Sequence, residues 1–397
     1  MTRKSKTPLA WKNLTHDWRR LAIALVGIAF AVLLMFSQVG FQNALFDSQV
    51  QLIKDLDGDI FIFSKAKFTL AAEKRFPIAR LHQAQSCAGV EWAAPVYSEL
   101  TTSVLRKMVR GRGNEGYPIR SIGIPLDIPV FRSKEVQLQT RRLRAPGVAL
   151  IDRRSKATKF PLPFDDDAAL AECSVELANQ KLTLVGTFSL GTDFANDGNL
   201  VMSAENFARF FPHRKRFGDP LSVLDIGIVK VQSGYDVAKV QEVLQKTLSR
   251  DVFVLTREEY LAKEITFWDK STPIGTIFLA GTIIGFVVGM VICYQVIYSD
   301  ITDHMPEFAT LKAMGYPTGY FIMLIVVEAL LLAIVGFLPG TLASVGLYHV
   351  LAGQTGLLMR MTVSSVTFVL GATIVMCIAS GILAVRKLLA ADPANLF

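Results

Sequence analysis

Residues 274–348 read IGTIFLAGTIIGFVVGMVICYQVIY, then SDITDHMPEFATLKAMGYPTGY, then FIMLIVVEALLLAIVGFLPGTLASVGLY. The first piece, Ile274–Tyr298, carries no charge. The third, Phe321–Tyr348, carries only Glu328. About 20 apolar residues in a helix cross a bilayer core, so each piece predicts a span. Working outward, Leu21–Phe41 and Met361–Val385 are likewise uncharged and long enough. Between Phe41 and Ile274 lie 232 residues of ordinary soluble composition, Gln42 to Pro273. The expected fold is an α-helical membrane protein with four transmembrane helices and an α+β domain inserted between the first and second.

The whole-chain composition agrees. Hydrophobic residues make up 51% and charged residues 19%, and the mean hydropathy is +0.38. This is too apolar for disorder. Four cysteines in 397 residues exclude a disulfide scaffold. The net charge of +8 is to be read as membrane topology before it is read as nucleic-acid binding.

Lys and Arg near span ends set orientation. Arg3, Lys4, Lys6, Lys12, Arg19 and Arg20 precede the first span, Lys312 lies between the second and third, and Arg386 and Lys387 follow the fourth. The loop between the third and fourth holds Arg360 alone. Nine against one places both termini in the cytoplasm and the large domain outside. The predicted order is a cytoplasmic segment 1–20, span 21–41, outer domain 42–273, span 274–298, cytoplasmic loop 299–320, span 321–348, outer loop 349–360, span 361–385 and cytoplasmic tail 386–397. The first apolar run is longer than that of a signal peptide and no A-x-A-like site follows, so it reads as an anchor. Before it, Trp11, Leu14 and Trp18 fall at i, i+3, i+7 beside basic residues. That is either an amphipathic strip on the inner membrane surface or an ordinary basic flank.

Within the outer domain, Gln42–Leu56 and Arg257–Ser271 read as two antiparallel stalk helices. Ile60–Ser64, Leu224–Val231 and Val252–Leu255 read as strands, and Val90 onward is extended to about Arg106. Arg75–Gln85 and Tyr235–Arg250 read as helices, the latter with Val237, Val240, Leu244 and Leu248 on one face. Two strand–helix–strand units flanking an insertion predict a split ferredoxin-like sandwich. The insertion, residues 107–219, shows a strand at Leu182–Phe188 and a short helix after Ser203, without a legible topology.

No catalytic motif is present. The chain lacks a GxxxxGK[ST] loop, an HExxH helix and a GxSxG elbow. The run DFANDGN at Asp193–Asn199 has Ala195 and Ala204 where a calcium loop needs oxygen ligands, so it reads as a polar turn. Cys87 and Cys173 share the outer domain, which leaves open a disulfide or two thiols. Cys293 and Cys377 read as apolar packing. Gly281, Gly285 and Gly289 stack at four-residue spacing, a face for close approach of another helix, of this chain or of a second copy. Gly336, Gly340 and Ser344 repeat the pattern. Glu328 is the lone charge within a predicted span, costly to bury and therefore a functional candidate. A proton relay would want further acids or a His in the spans. None is evident, which favours a hydrogen bond to a neighbouring helix.

The loop 299–320 is the most informative. Asp303 and Pro306 mark a helix start, Gly315 and Pro317 its stop. Glu307, Phe308, Leu311, Lys312, Met314 and Gly315 form its core, with Phe308, Leu311 and Met314 to one side. Its role is either a connector or a coupling helix seated in a cytoplasmic partner.

EFATLKAMGY (Glu307–Tyr316) resembles the coupling segment of FtsX/MacB-like ABC permeases. Glu328 with Gly336 and Gly340 resembles that family's third span, and RKLLAADPANLF (Arg386–Phe397) its ending. PLAWKNL (Pro8–Leu14), FQNALFDSQVQL (Phe41–Leu52), DHMPEFATLKAMGY and ADPANLF resemble more narrowly the DevC branch, permeases of heterocyst-glycolipid-type exporters. The resemblance implies a non-catalytic homodimeric permease in the bacterial inner membrane. ATP and Mg would be bound by a separate ABC ATPase, with no cofactor in this chain. Mechanotransmission would pass through Glu307–Gly315 and the stalk to a periplasmic adaptor and a TolC-like outer-membrane protein, exporting a glycolipid or another amphipathic molecule. Beside membrane lipid, no nucleic-acid partner is expected. Two other readings compete: an FtsX-like regulator of a periplasmic hydrolase, and a secondary transporter using Glu328.

Overall fold

The computed structural model describes residues 18–107, 115–193, 195–355, 357 and 359–389. Trp11 and Leu14 of the N-terminal strip and the C-terminal ADPANLF lie outside the described residues. The chain divides into two units. One comprises residues up to Asn43, Pro273–Leu351 and the residues from Met359. The other comprises Ala44–Thr272 with Ala352–Leu358.

The first unit is built on four long helices, Trp18–Asp55, Ile274–Asp303, Thr318–Thr355 and Val363–Leu389, with a short one between the second and third. All four are long and apolar enough to cross a membrane. Each runs past the C-terminal end of the uncharged segment that announced it, because backbone groups stay paired only while the helix continues, and the fourth begins two residues inside its segment. The helix Trp18–Asp55 absorbs most of the predicted first stalk segment. Its 38 residues are about 57 Å long at 1.5 Å per residue. The core of the unit includes Ile28, Ala31, Val32, Met35, Ile297, Ile325, Ala329, Met376 and Cys377.

The second unit is α+β. Its strands are β1 Ile60–Ser64, β2 Phe76–Pro77, β3 Val90–Glu99, β4 Val104–Lys107, β5 Gly116–Pro118, β6 Arg120–Ile124, β7 Val148–Asp152, β8 Val175–Leu177, β9 Gln180–Phe188, β10 Asn199–Ser203, β11 Val223–Leu224, β12 Ile226–Val231 and β13 Val252–Thr256. Eleven of them pair in the order β13-β1-β12-β3-β6-β10-β7-β9-β8-β4-β5. The first four strands are antiparallel throughout. With the helices Ala79–Gln85 and Val237–Thr247 between them in sequence, they form the split ferredoxin-like unit. β1 is buried on both faces, which explains the unbroken apolar run Ile60–Phe63. On one face Ile62 lies beside Gly227 near Leu81. On the other, Phe61 and Phe63 pack on Tyr260 of the helix Arg257–Lys270, with ring centroids 5.6 and 4.4 Å apart.

The insertion continues the same sheet. β3 passes from β12 to β6, pairing Tyr97–Glu99 with Ser121–Gly123. The β6–β10 and β7–β9 pairs are parallel, while β10–β7 is antiparallel. The extended stretch predicted from Val90 to Arg106 is therefore two strands, broken after Glu99. The break is a turn in which Glu99 accepts from the Thr102 hydroxyl at 2.8 Å. Arg214 is fully buried where the halves meet, donating to the Val223 carbonyl at 2.9 Å and to Asp225 at 3.1 Å.

Candidate functional site

The loop between the second and third spans folds as the helix Met305–Ala313. Its start follows directly on the preceding helix: the His304 backbone N–H donates to the Asp300 carbonyl at 3.2 Å, and Nδ1 lies 3.0 Å from the same oxygen. Its end is a left-handed residue, Gly315, at φ +92°. A side chain is strained in that conformation, which is why glycine stands after the last turn. Met314 N–H closes the turn on Thr310 at 3.0 Å, and Tyr316 N–H reaches back to Leu311 at 3.2 Å. Tyr320 N–H then donates to Pro317 at 2.9 Å and the third span begins. Glu307, Met314 and Gly315 are exposed, Met314 at 64%, and Leu311 is half-buried. The side chains of Phe308 and Lys312 lie outside the described residues. A short helix fixed at both ends by spans, with an acid and a methionine on its open surface, can receive a partner and pass on its displacement.

The glycine face of the second span is filled within this chain. A methyl group on Gly285 would sit 3.3 Å from the Leu34 Cβ, and one on Gly281 would meet the Gln38 amide. A methyl on Gly289 would lie 2.6 Å from the Ala31 Cβ and against the Met376 sulfur. Residue numbers rise on one helix as they fall on the other, so the two helices run antiparallel. Gly336 and Gly340 meet Ile28 and Val32 of the first helix in parallel sense. Tyr348 extends that seam: its hydroxyl donates to the Phe36 carbonyl at 2.5 Å and fills the space beside Gly40. The fourth helix meets the second through the Ser380 hydroxyl, which donates to Met290 at 2.8 Å. Asn43 of the first helix donates to Ser365 of the fourth at 2.9 Å. These directions put the start of the first helix, the end of the fourth and the helix Met305–Ala313 at one end of the unit.

Glu328 is 4% exposed, and its carboxyl lies beside the Asp300 side chain. Sequence reading found no second acid for it because it ended the second span at Tyr298. The helix continues to Asp303 and so includes Asp300. Asp300 also lies 3.7 Å from the His304 ring. Asp300 thus lies between Glu328 and the residue that precedes the helix Met305–Ala313. The signal was in the sequence, since Asp300 lies within the reach of an uninterrupted helix.

In the second unit the helix Arg257–Lys270 starts with a capping box on Thr256 and Glu259. Arg257 crosses to the C-terminal end of the helix Trp18–Asp55. Its guanidinium donates to the Ile53, Lys54 and Leu56 carbonyls at 3.3, 3.1 and 2.9 Å, and to Gly58. A cation at the carbonyl end of a helix is favoured by the unpaired acceptors and the dipole there. Burial lowers the Arg257 pKa, with Arg132 adding to it and Asp59 and Asp57 opposing.

The remaining candidates resolve simply. Asp193 accepts from the Ala195 and Asn196 backbone N–H groups at 2.8 and 3.1 Å and pairs with Arg120 at 2.6 Å, so DFANDGN is a polar turn occupied by a guanidinium. Cys87 and Cys173 are free thiols, and Cys293 and Cys377 are buried between spans. No cluster of three or more His, Cys, Asp or Glu suited to a metal occurs among the described residues.

Comparison with known proteins places these parts. The family model for the MacB-like periplasmic core domain matches residues 21–247, and that for the FtsX-like permease C-terminal region matches residues 275–393. An uncharacterized ABC transporter permease of Methanocaldococcus jannaschii is 26% identical over 207 residues, 49% of this chain and 48% of that protein. The chain thus spans about half the length of this curated relative. Among solved structures, the periplasmic region of MacB from Actinobacillus actinomycetemcomitans is 15% identical, with a TM-score of 0.33, over 51% of this chain and 91% of that one. The extracellular domain of the transporter YknZ from Gram-positive bacteria is 12% identical, with a TM-score of 0.30, over 50% and 99%.

Proposed function

Since the chain belongs to the MacB-like periplasmic core domain family and continues into an FtsX-like permease region, we propose that it is the membrane-spanning permease subunit of an ABC transporter. The observation that carries this reading is the helix Met305–Ala313. It is held between two spans at the end of the unit where the first span begins and the fourth ends, with Glu307 and Met314 open. The basic residues gather at that same end, which favours the cytoplasm. Both termini are then cytoplasmic and the α+β domain is periplasmic, in a bacterial inner membrane.

A separate ABC ATPase binds ATP and Mg and seats the coupling residues Glu307, Phe308, Leu311, Lys312, Met314 and Gly315. Closure of the ATPase moves the coupling helix. Mechanotransmission carries that motion through the helices Trp18–Asp55 and Arg257–Lys270 to the outer domain. Export in this reading uses a homodimer, a periplasmic adaptor and a TolC-like outer-membrane protein. The DevC-like segments favour a glycolipid or another amphipathic cargo.

The test is affinity purification of the tagged chain from its own membranes in mild detergent, with mass spectrometry of what co-elutes, alongside Leu311→Asp. An ATPase together with an adaptor is the expected result. Leu311→Asp should reach the membrane but lose the ATPase, because a charge in a dry apolar seat is strongly disfavoured. An ATPase with a periplasmic hydrolase and no adaptor would instead support the FtsX-like regulator. No ATPase, or one held equally by Leu311→Asp, would overturn the coupling assignment.

A further inference from the structure

Glu264 lies on the helix Arg257–Lys270 and is fully buried. A buried carboxylate is costly unless donors surround it. Here most of the donors belong to the loop that follows β1. The Leu70 backbone N–H lies 3.0 and 2.9 Å from the two carboxylate oxygens, and the Thr69 hydroxyl donates to Oε1. Trp268 Nε1, from the same helix, adds a fourth contact at 3.0 Å. The grip is widened on either side. Lys263 Nζ donates to the Phe68 carbonyl at 3.1 Å, and the Phe68 and Phe267 rings lie 5.5 Å apart.

The loop is closed on itself and anchored at its far end. Lys67 Nζ donates to the Ala72 carbonyl at 2.6 Å. Glu73 accepts from the Leu100 and Thr101 backbone N–H groups at 2.7 and 2.8 Å, in the turn that ends β3. Arg75 pairs with Glu99 at 2.6 Å and lies 3.5 Å from Asp225. β3 is the strand shared by the ferredoxin-like half and the insertion. Charge-assisted hydrogen bonds at Glu264, Lys67, Glu73 and Arg75, joined by the backbone of the loop, therefore lead from the helix to that junction. A leucine at position 264 would serve packing without any of the desolvation cost. The acid buys instead a single defined register between helix and loop.

We propose that residues 65–75 are a strut through which displacement of the helix Arg257–Lys270 reaches the junction of the two halves of the outer domain, with Glu264 the positioning residue that engages it. This rests on the mechanical reading above, in which that helix is part of the transmission path. Hydrogen bonds to a charged group hold their geometry more strongly than neutral ones, so the strut transmits rather than absorbs a displacement.

The experiment is hydrogen exchange of the full chain in lipid nanodiscs with its co-purified ABC ATPase, with and without ATP. It compares wild type, Glu264→Ala, the nearly isosteric Glu264→Gln, and Trp268→Phe as a control outside the loop. In wild type, ATP should alter exchange at Leu100 and Thr101. In both Glu264 variants, ATPase binding and stimulated hydrolysis should persist. Leu70 should exchange roughly tenfold faster or more, matching the loss of one charge-assisted hydrogen bond, and the ATP response at Leu100 and Thr101 should vanish. Trp268→Phe should keep that response. A response that survives in Glu264→Gln, or unchanged Leu70 exchange in both variants, would overturn the strut. Stimulated hydrolysis with no ATP response anywhere in the wild-type outer domain would instead sink the mechanical reading, and the strut with it.

Discussion

At Gly289 one missing methyl group sets the distance between two spans. A Cβ there would lie 2.6 Å from that of Ala31 and press on the Met376 sulfur, so three helices would have to part. At Gly346, on the third helix, a Cβ meets nothing within 4 Å. The same substitution should therefore have opposite signs. Gly289→Ala should destabilise by about 1–3 kcal/mol through overpacking. Gly346→Ala should be neutral or stabilise by up to about 1 kcal/mol by restricting the unfolded chain. Thermal unfolding of both variants in detergent, followed by size-exclusion chromatography, checks the pair. The four-residue glycine spacing was legible in sequence as a close-packing face. Its partner was not, because a period along one helix says nothing about which neighbour it meets. Glu328 makes the same point: its burial was legible, but its approach to Asp300 depended on how far the second helix runs.

Among the elements, the loop 65–75 shows how charge can hold a segment without regular structure. Burial pulls the Glu73 pKa upward, but the N–H groups of Thr101 and Leu100, with Arg75, outweigh it and leave the carboxyl below its usual 4.5. A depressed acid stabilises the folded state fully above its unfolded value. That contribution is lost as pH falls through the lower folded value. Denaturant unfolding of the full chain from about pH 6 to about pH 3 should show stability falling at the acid end. Glu73→Gln should be less stable near neutrality and should lose part of the acid dependence. An identical acid slope in the variant would remove Glu73 from the network. The paired strand–helix–strand units of the ferredoxin-like half were legible because β1, β12 and β13 border helices of clear period. The insertion was not, since β6, β7 and β10 are buried along their whole length and find partners far away in sequence.

For the molecule as a whole, orientation is the property with the widest consequences. With all four native cysteines replaced, single cysteines at Leu138 (83% exposed) and Met314 would report the two sides. In intact spheroplasts a membrane-impermeant maleimide should label Leu138→Cys. Met314→Cys should react only after permeabilisation. The reverse pattern would put the helix Met305–Ala313 outside and exclude a cytoplasmic ATPase as its partner.

The number and placing of the apolar helices, the glycine stop at Gly315 and the ferredoxin-like strands were determined by the sequence alone. Each follows from local properties: hydropathy summed over one helix, a turn that only glycine adopts without strain, or side-chain period. Tertiary structure decided which helix fills the glycine face, that Asp300 meets Glu328, how the insertion extends the sheet from β3, and that Glu264 grips the loop after β1. These depend on groups far apart in the chain competing for the same space and the same hydrogen-bond donors. That competition is settled only when the whole chain has packed.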